Sequence, residues 1–155
     1  MIPDGFKPYR GDGTFNDVVQ PIYIKKTEDS TMLGFEVKKN HCNFMGMVHG
    51  GCVMTFMDMA LSAAVCEAMG KYTSSPTINI SFDFMSSAKE GDWVYANIPS
   101  VKLTRTMGFV SGMLEGPEGP VVRASGVFKL PRDIEANPGM DPDEYYAFRI
   151  SSEEE

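Results

Sequence analysis

Asp58 is the residue whose position most needs a chemical reason. It lies within residues 52–69, a run without Pro or Gly and almost wholly apolar, which is the composition of a buried helix. A carboxylate there costs several kcal/mol, on the order of 2–7, unless something partners it. His49, Gly50 and Gly51 come just before the run. A helix starting there leaves backbone N–H groups without acceptors and carries a partial positive charge. Such amides can hold a developing oxyanion, and glycine lets a ligand carbonyl approach the backbone closely. Asp58 would then act as general base on water or as a direct nucleophile. Each feature also has a purely structural reading. The glycines would make a tight turn into the helix, and Asp58 would be a buried acid satisfied by neighbouring amides.

Helical angles extend the pattern. At 100° per residue Thr55, Asp58 and Ser62 share a strip roughly 60° wide, while Cys52, Val53, Phe56, Met57, Met59, Ala60 and Ala64 occupy the rest. Packing alone does not select a polar stripe on a buried helix, so the stripe is expected to face something polar. Spacing adds a constraint. Gly51 and Asp58 of one helix are about 10.5 Å apart along its axis, too far for one reacting carbonyl to sit within about 3 Å of both. Two helices pairing antiparallel about a two-fold axis would bring Gly51 of one copy to Asp58 of the other. The spacing thus points to a dimer as the active unit.

The elements that must hold these residues can be read along the chain. A short helix is expected near residues 16–20, stopped by Pro21. Residues 22–27 and 32–37 read as a hairpin about the turn 28–31. Gly70 is a natural helix stop, and residues 72–76 form a loop. Residues 77–84 alternate, with Ile78, Ile80, Phe82 and Phe84 on one face and Thr77, Asn79, Ser81 and Asp83 on the other. Further strands are predicted over 93–103, 109–114 and 121–130, separated by turns at 89–92, 104–108 and 115–120. Short turns between consecutive strands imply an antiparallel meander. One long helix between a hairpin and that meander makes an α+β domain with the helix wrapped by a curved sheet.

Composition sets the limits. With 155 residues, 43% of them hydrophobic, the chain suits one domain: an N-terminal extension over 1–20, the domain over 21–130 and an acidic tail over 131–155. The net charge of −7 is misleading, because the tail carries eight acids against Arg132 and Arg149 and the remainder is close to neutral. Nothing marks a nucleic-acid surface. No membrane span and no signal peptide are expected, which makes the cytoplasm the default location. Cys42, Cys52 and Cys66 lack C-x-x-C spacing and are expected to be reduced thiols. His41, Cys42 and His49 fit no common zinc spacing, so no metal is expected. The tail, with Pro138, Pro142 and the closing Glu153, Glu154 and Glu155, is expected to be partly disordered, although Tyr145, Tyr146 and Phe148 could dock on the domain or on a neighbouring subunit.

The ordered set Asn43-x-x-Gly46-x-x-His49-Gly50-Gly51, then Asp58, then residues 77–85 and the Ala88-x-x-Gly91 turn resembles the hotdog-fold acyl-CoA thioesterases. The resemblance is to the PaaI-like branch related to 4-hydroxybenzoyl-CoA thioesterases, and it covers roughly residues 20–130. It implies a homodimer with a continuous sheet, commonly doubled into a homotetramer, and hydrolysis of an acyl-CoA thioester with no cofactor beyond the coenzyme A of the substrate. Asn43 and the Gly51 amide would polarise the thioester carbonyl, with Gly50 beside them and His49 positioning it. Asp58 of the partner subunit would activate water or attack directly, and Thr77 would orient the water. Ser86-Ser87 departs from the family pattern. Arg105, in the 104–108 turn, is a candidate phosphate ligand whose other reading is a solvated turn charge, and Lys89, Lys102 and Lys129 are weaker candidates. The resemblance leaves two further functions open: a hydratase or dehydratase of acyl thioesters, and a non-catalytic acyl-CoA binding protein. Phe44, Met45, Met54 and Met57 could line an acyl pocket or simply fill the core.

Overall fold

The computed structural model describes residues 1–150. Its central helix, α1, spans Gly50–Met69. Gly70 closes it at φ 75°, with its N–H on the carbonyls of Cys66 and Glu67, a left-handed turn that glycine adopts without a Cβ penalty. Phe56, Met57, Leu61 and Val65 of α1 are fully buried in one core with Phe35, Val94, Leu114 and Phe128 of the sheet. Each contributes about 1.5–3 kcal/mol by leaving water. The rings of Phe35 and Phe56 meet edge-on at 4.8 Å. By length and composition alone α1 could cross a bilayer; here the sheet covers its apolar face.

The strands are β1 (Lys7–Pro8), β2 (Tyr23–Lys26), β3 (Thr31–Glu36), β4 (Thr77–Phe84), β5 (Trp93–Leu103), β6 (Met107–Gly116) and β7 (Gly119–Lys129). They form one antiparallel sheet in the order β1-β2-β3-β5-β6-β7-β4. The expected hairpin is present, with Ile24 opposite Leu33. The expected meander needs one correction, because β4 does not lie beside β5. It pairs with β7, Phe82 opposite Ala124, while β5 pairs with β3. The linker 85–92 is the cause. The amides of Met85 and Ser86 donate to the Val121 carbonyl at one end, and Gly91 donates to the Val37 carbonyl at the other. The linker therefore crosses the end of the sheet instead of reversing as a tight hairpin would.

The N-terminal residues are integrated with the domain. β1 extends the sheet, and the helix expected near 16–20 is a 3₁₀ helix, Phe15–Val19, whose Val19 is buried. His41 pins it. The ring is fully buried, Nε2 donates to the Val19 carbonyl at 2.8 Å and Nδ1 accepts from the Lys38 amide at 2.9 Å.

The described part of the tail, over 131–150, includes a helix. Pro142–Ile150 forms a second helix, α2. Asp141 accepts from the amides of Asp143 and Glu144 at 2.9 and 3.0 Å, and the Glu144 carboxylate accepts from the Asp141 amide at 3.3 Å. This is a reciprocal capping box with Pro at the first helical position. The docking half of the expectation is met: Tyr145 stacks on Tyr72 with ring centroids 3.6 Å apart, and the Tyr146 ring lies under Lys26. Glu153, Glu154 and Glu155 lie outside the described residues.

Candidate active site

The loop before α1 is built by Asn43. Its side-chain oxygen accepts from the amides of Met45 and Met47 at 2.9 and 3.3 Å, and its backbone N–H donates to the Met47 carbonyl. Both side-chain contacts are to donors, so they fix which end of the carboxamide is oxygen. The NH2 end has no acceptor among the described residues and is free to donate. Val48 donates to the Ala88 carbonyl at 2.8 Å, so the β4–β5 linker braces this loop.

His49 caps the helix: its Nδ1 accepts from the Gly51 amide at 2.8 Å. A Cβ at Gly51 would lie 3.1 Å from that nitrogen, so glycine is what lets the ring fold back. The Gly51 N–H is therefore already engaged, and it can meet a ligand oxygen only by exchanging His49 for it. The Gly50 amide has no acceptor among the described residues.

Asp58 lies two turns further along and is half-buried. Thr77 Oγ1 donates to its Oδ1 at 2.7 Å, within the range of charge-assisted hydrogen bonds. Strict alternation would turn Thr77 away from the side that holds Ile80. The structure places a β-bulge between Thr77 and Asn79, and a bulge switches the facing of the residues beyond it. Ile80 packs with the core and Thr77 also reaches α1. Thr77 therefore does not share the outer face with Asp83, which pairs there with Arg123 at 2.9 Å.

Within the polar stripe, Thr55 donates back to the Gly51 carbonyl at 3.0 Å. Asp58 and Ser62 open instead into a cavity of about 370 Å³. Its other walls are Tyr9, Tyr72 and Thr73, together with Tyr145, Phe148 and Arg149 of α2. Sequence reading expected Tyr145 and Phe148 to dock on the domain, but it did not place them, Tyr9, Tyr72 or Arg149 around a cavity lined by Asp58. The Asp-Pro-Asp-Glu at 141–144 is a helix-start signature that marks α2, but nothing local says where α2 docks.

Other candidates fall elsewhere. Asn43, His49 and the glycines do not line this cavity, and the unbroken helix keeps Gly51 and Asp58 about 10.5 Å apart along its axis. Arg105 is exposed in the β5–β6 turn. Ser86 donates to the Pro120 carbonyl at 2.8 Å. Met57 is core, whereas Phe44, Met45 and Met54 are exposed. The three cysteines are free thiols. Burial pushes Cys52 up to about 11 and raises Cys66, so neither is a thiolate nucleophile at neutral pH.

One helix wrapped by a seven-stranded antiparallel sheet, with a carboxylate in mid-helix and a glycine pair at its start, defines a hotdog-fold protein. The chain belongs to the thioesterase superfamily, whose family model matches residues 45–122. A Pseudomonas aeruginosa relative named "Putative esterase PA0474" is 30% identical over 131 residues, covering 84% of this chain and 98% of the relative. Among solved structures, zebra fish thioesterase superfamily member 2 superposes with a TM-score of 0.66 at 20% identity, covering 77% of this chain and 88% of that one. A Streptococcus pneumoniae "hypothetical thioesterase protein with coenzyme A" superposes at 0.60 and 19% identity, with the same two coverages. At these identities the structural likeness speaks to fold.

Proposed function

We propose that the protein hydrolyses acyl-CoA thioesters, with Asp58 as the general base or nucleophile. The observation that carries this reading is the Thr77–Asp58 pair, a carboxylate that lines a cavity and is held by a 2.7 Å hydrogen bond, in a chain of the thioesterase superfamily. The amide NH2 of Asn43 and the amides at Gly50 and Gly51 polarise the thioester carbonyl. Gly51 does so once the substrate oxygen replaces His49. Water, or Asp58 itself followed by water, adds to the carbonyl carbon. The C–S bond breaks, the free acid forms and coenzyme A leaves as the thiol. No cofactor is needed. Arg105 is the candidate contact for a coenzyme A phosphate.

The two halves of this machinery sit too far apart in one chain, so the site is shared across a homodimer. Supporting this, β4 ends the sheet with an edge that no strand among the described residues pairs, and Ile78 and Phe84 on it are 53% and 49% exposed. Such an edge suits pairing with its own copy. Two dimers would make the tetramer, and three free thiols suit the cytoplasm.

The experiment is thiol release from a panel of aliphatic and aromatic acyl-CoA substrates. Asp58→Asn is expected to lower kcat at least a hundredfold with an unchanged melting curve. Full activity in that variant would remove Asp58 from the mechanism. Mixed dimers of an Asn43→Ala subunit with an Asp58→Asn subunit should recover activity, since one of their two sites is intact. No recovery would defeat the shared site.

A further inference from the structure

The cavity that Asp58 lines runs along α1. Asp58, Ser62 and Cys66 line it at four-residue spacing, which puts them on one face of the helix over about 12 Å. Cys66 lies toward the C-terminal end of α1, away from Gly51. Tyr145, Phe148 and Arg149 of α2 contribute to the same lining. α2 is held there at several points. Tyr145 stacks on Tyr72, and its hydroxyl is 2.9 Å from that of Tyr9. The Arg149 guanidinium donates to the Arg10 carbonyl at 3.0 Å and to Asp12 at 3.2 Å, while the Arg10 amide donates to the Arg149 carbonyl at 2.7 Å. These contacts tie α2 to residues 9–12 and to the loop after α1. Several polar groups of the lining are already paired. The hydroxyls of Tyr9 and Tyr145 meet each other, Tyr72 meets Thr31 at 3.3 Å, and Thr73 donates to the Pro138 carbonyl at 2.7 Å. Those groups need no bond from a ligand, so rings and methylenes are what they offer a guest.

We propose that this cavity receives the acyl arm of the thioester, an apolar chain of limited length, and that α2, through Phe148, is the stop that sets the limit. The inference rests on the thioesterase reading given above and names the substrate class of that site. A thioester held at Asp58 has two arms. The coenzyme A arm carries phosphates, and the exposed acids Asp141, Asp143 and Glu144 at the start of α2 oppose them. The acyl arm carries no such charge and matches the apolar lining. The volume, about 370 Å³, lies at the small end of ligand pockets, so a long chain meets α2 before it is fully enclosed. The family match covers residues 45–122, and α2 lies beyond it. The reacting carboxylate thus comes from the shared domain, and the length limit comes from the C-terminal helix.

The test measures thiol release from straight-chain acyl-CoA substrates, butanoyl through hexadecanoyl. In the wild type kcat/KM should rise about fourfold per added methylene while the chain still fits. It should then break, falling about tenfold or more once the chain overfills the cavity. Phe148→Ala removes the ring and should move the break about two carbons or more toward longer chains, because the space it leaves adjoins the cavity. If that variant does not fold, Phe148→Leu is a milder truncation and should move the break in the same direction. Ser62→Leu narrows the cavity from the α1 side and should move the break toward shorter chains. The readout in each case is the ratio between chain lengths within one protein. Three results overturn the proposal while leaving the thioesterase reading intact: no break in the wild type, a break unmoved by the Phe148 or the Ser62 variant, or a uniform loss at every length. No thiol release from any acyl-CoA overturns both.

Discussion

Replacing Thr77 by Val tests the positioning of Asp58 without touching the carboxylate. The substitution keeps the β-branched shape and exchanges the hydroxyl for a methyl, so it removes one contact, the 2.7 Å hydrogen bond to Asp58 Oδ1. A hydrogen bond to an ionised group contributes about 1.5–3 kcal/mol. Asp58 is half-buried and Thr77 exposed, so the low end applies. A loss of about 1.4 kcal/mol is tenfold in rate. If the bond orients Asp58 for its attack or proton transfer, kcat should fall about tenfold with little change in KM, because the contact acts on the reacting geometry and not on ground-state binding. Stability should fall by no more than about 1.5 kcal/mol, the low end of what such a bond contributes to the folded state. Thr77→Ser keeps the hydroxyl and should stay near wild type. The assay is thiol release under saturating acyl-CoA, with urea unfolding run alongside. A fully active Thr77→Val protein, with Asp58→Asn inactive, would refute the positioning argument. So would a Ser variant as impaired as the Val one, since the hydroxyl would then not be the active feature.

Two predictions concern the scaffold. Burial holds His41 below its ordinary pKa of 6.5, so the folded state disfavours the charged ring. Its contribution to stability is present above pH 6.5 and is lost as pH falls through that value and the unfolded chain binds the proton. NMR titration should give its ring protons a midpoint below 6.5; a midpoint above would contradict the burial. Gly112 lies opposite an irregularity in β5, and a Cβ there would sit 2.5 Å from the Asn97 carbonyl oxygen. Gly112→Ala should therefore lower the urea unfolding midpoint by the equivalent of about 1–3 kcal/mol, and an unchanged midpoint would show that the backbone yields freely.

Much of the fold was legible because it depends on local chemistry. The apolar run before Gly70 has one good solution, a buried helix, and the structure lengthens it by only two residues at its start. The strands over 77–84 and 93–103 have the bounds read from the sequence. Strand order was not legible. Whether β4 lies beside β5 or β7 depends on where the 85–92 linker is anchored, and its partners, Val121 and Val37, are distant in sequence. The facing of Thr77 was likewise hidden, since period-2 reading assumes an unbroken ladder and a single bulge reverses it.

The site divides along the same line. Residue types and helical spacing alone put Asp58 and Ser62 on one stripe and separated Asp58 from Gly51, because helix geometry is the same everywhere along α1. The tertiary structure decided what those residues meet. It set Thr77 on Asp58, turned His49 onto the Gly51 amide and brought Tyr145 and Arg149 into the lining of the cavity that Asp58 also lines. The contacts of α2 with Tyr9, Asp12 and Tyr72 join residues far apart in the chain. Long-range side-chain pairing of that kind has no period for a sequence to display, and here it supplies part of the lining of the cavity that holds Asp58.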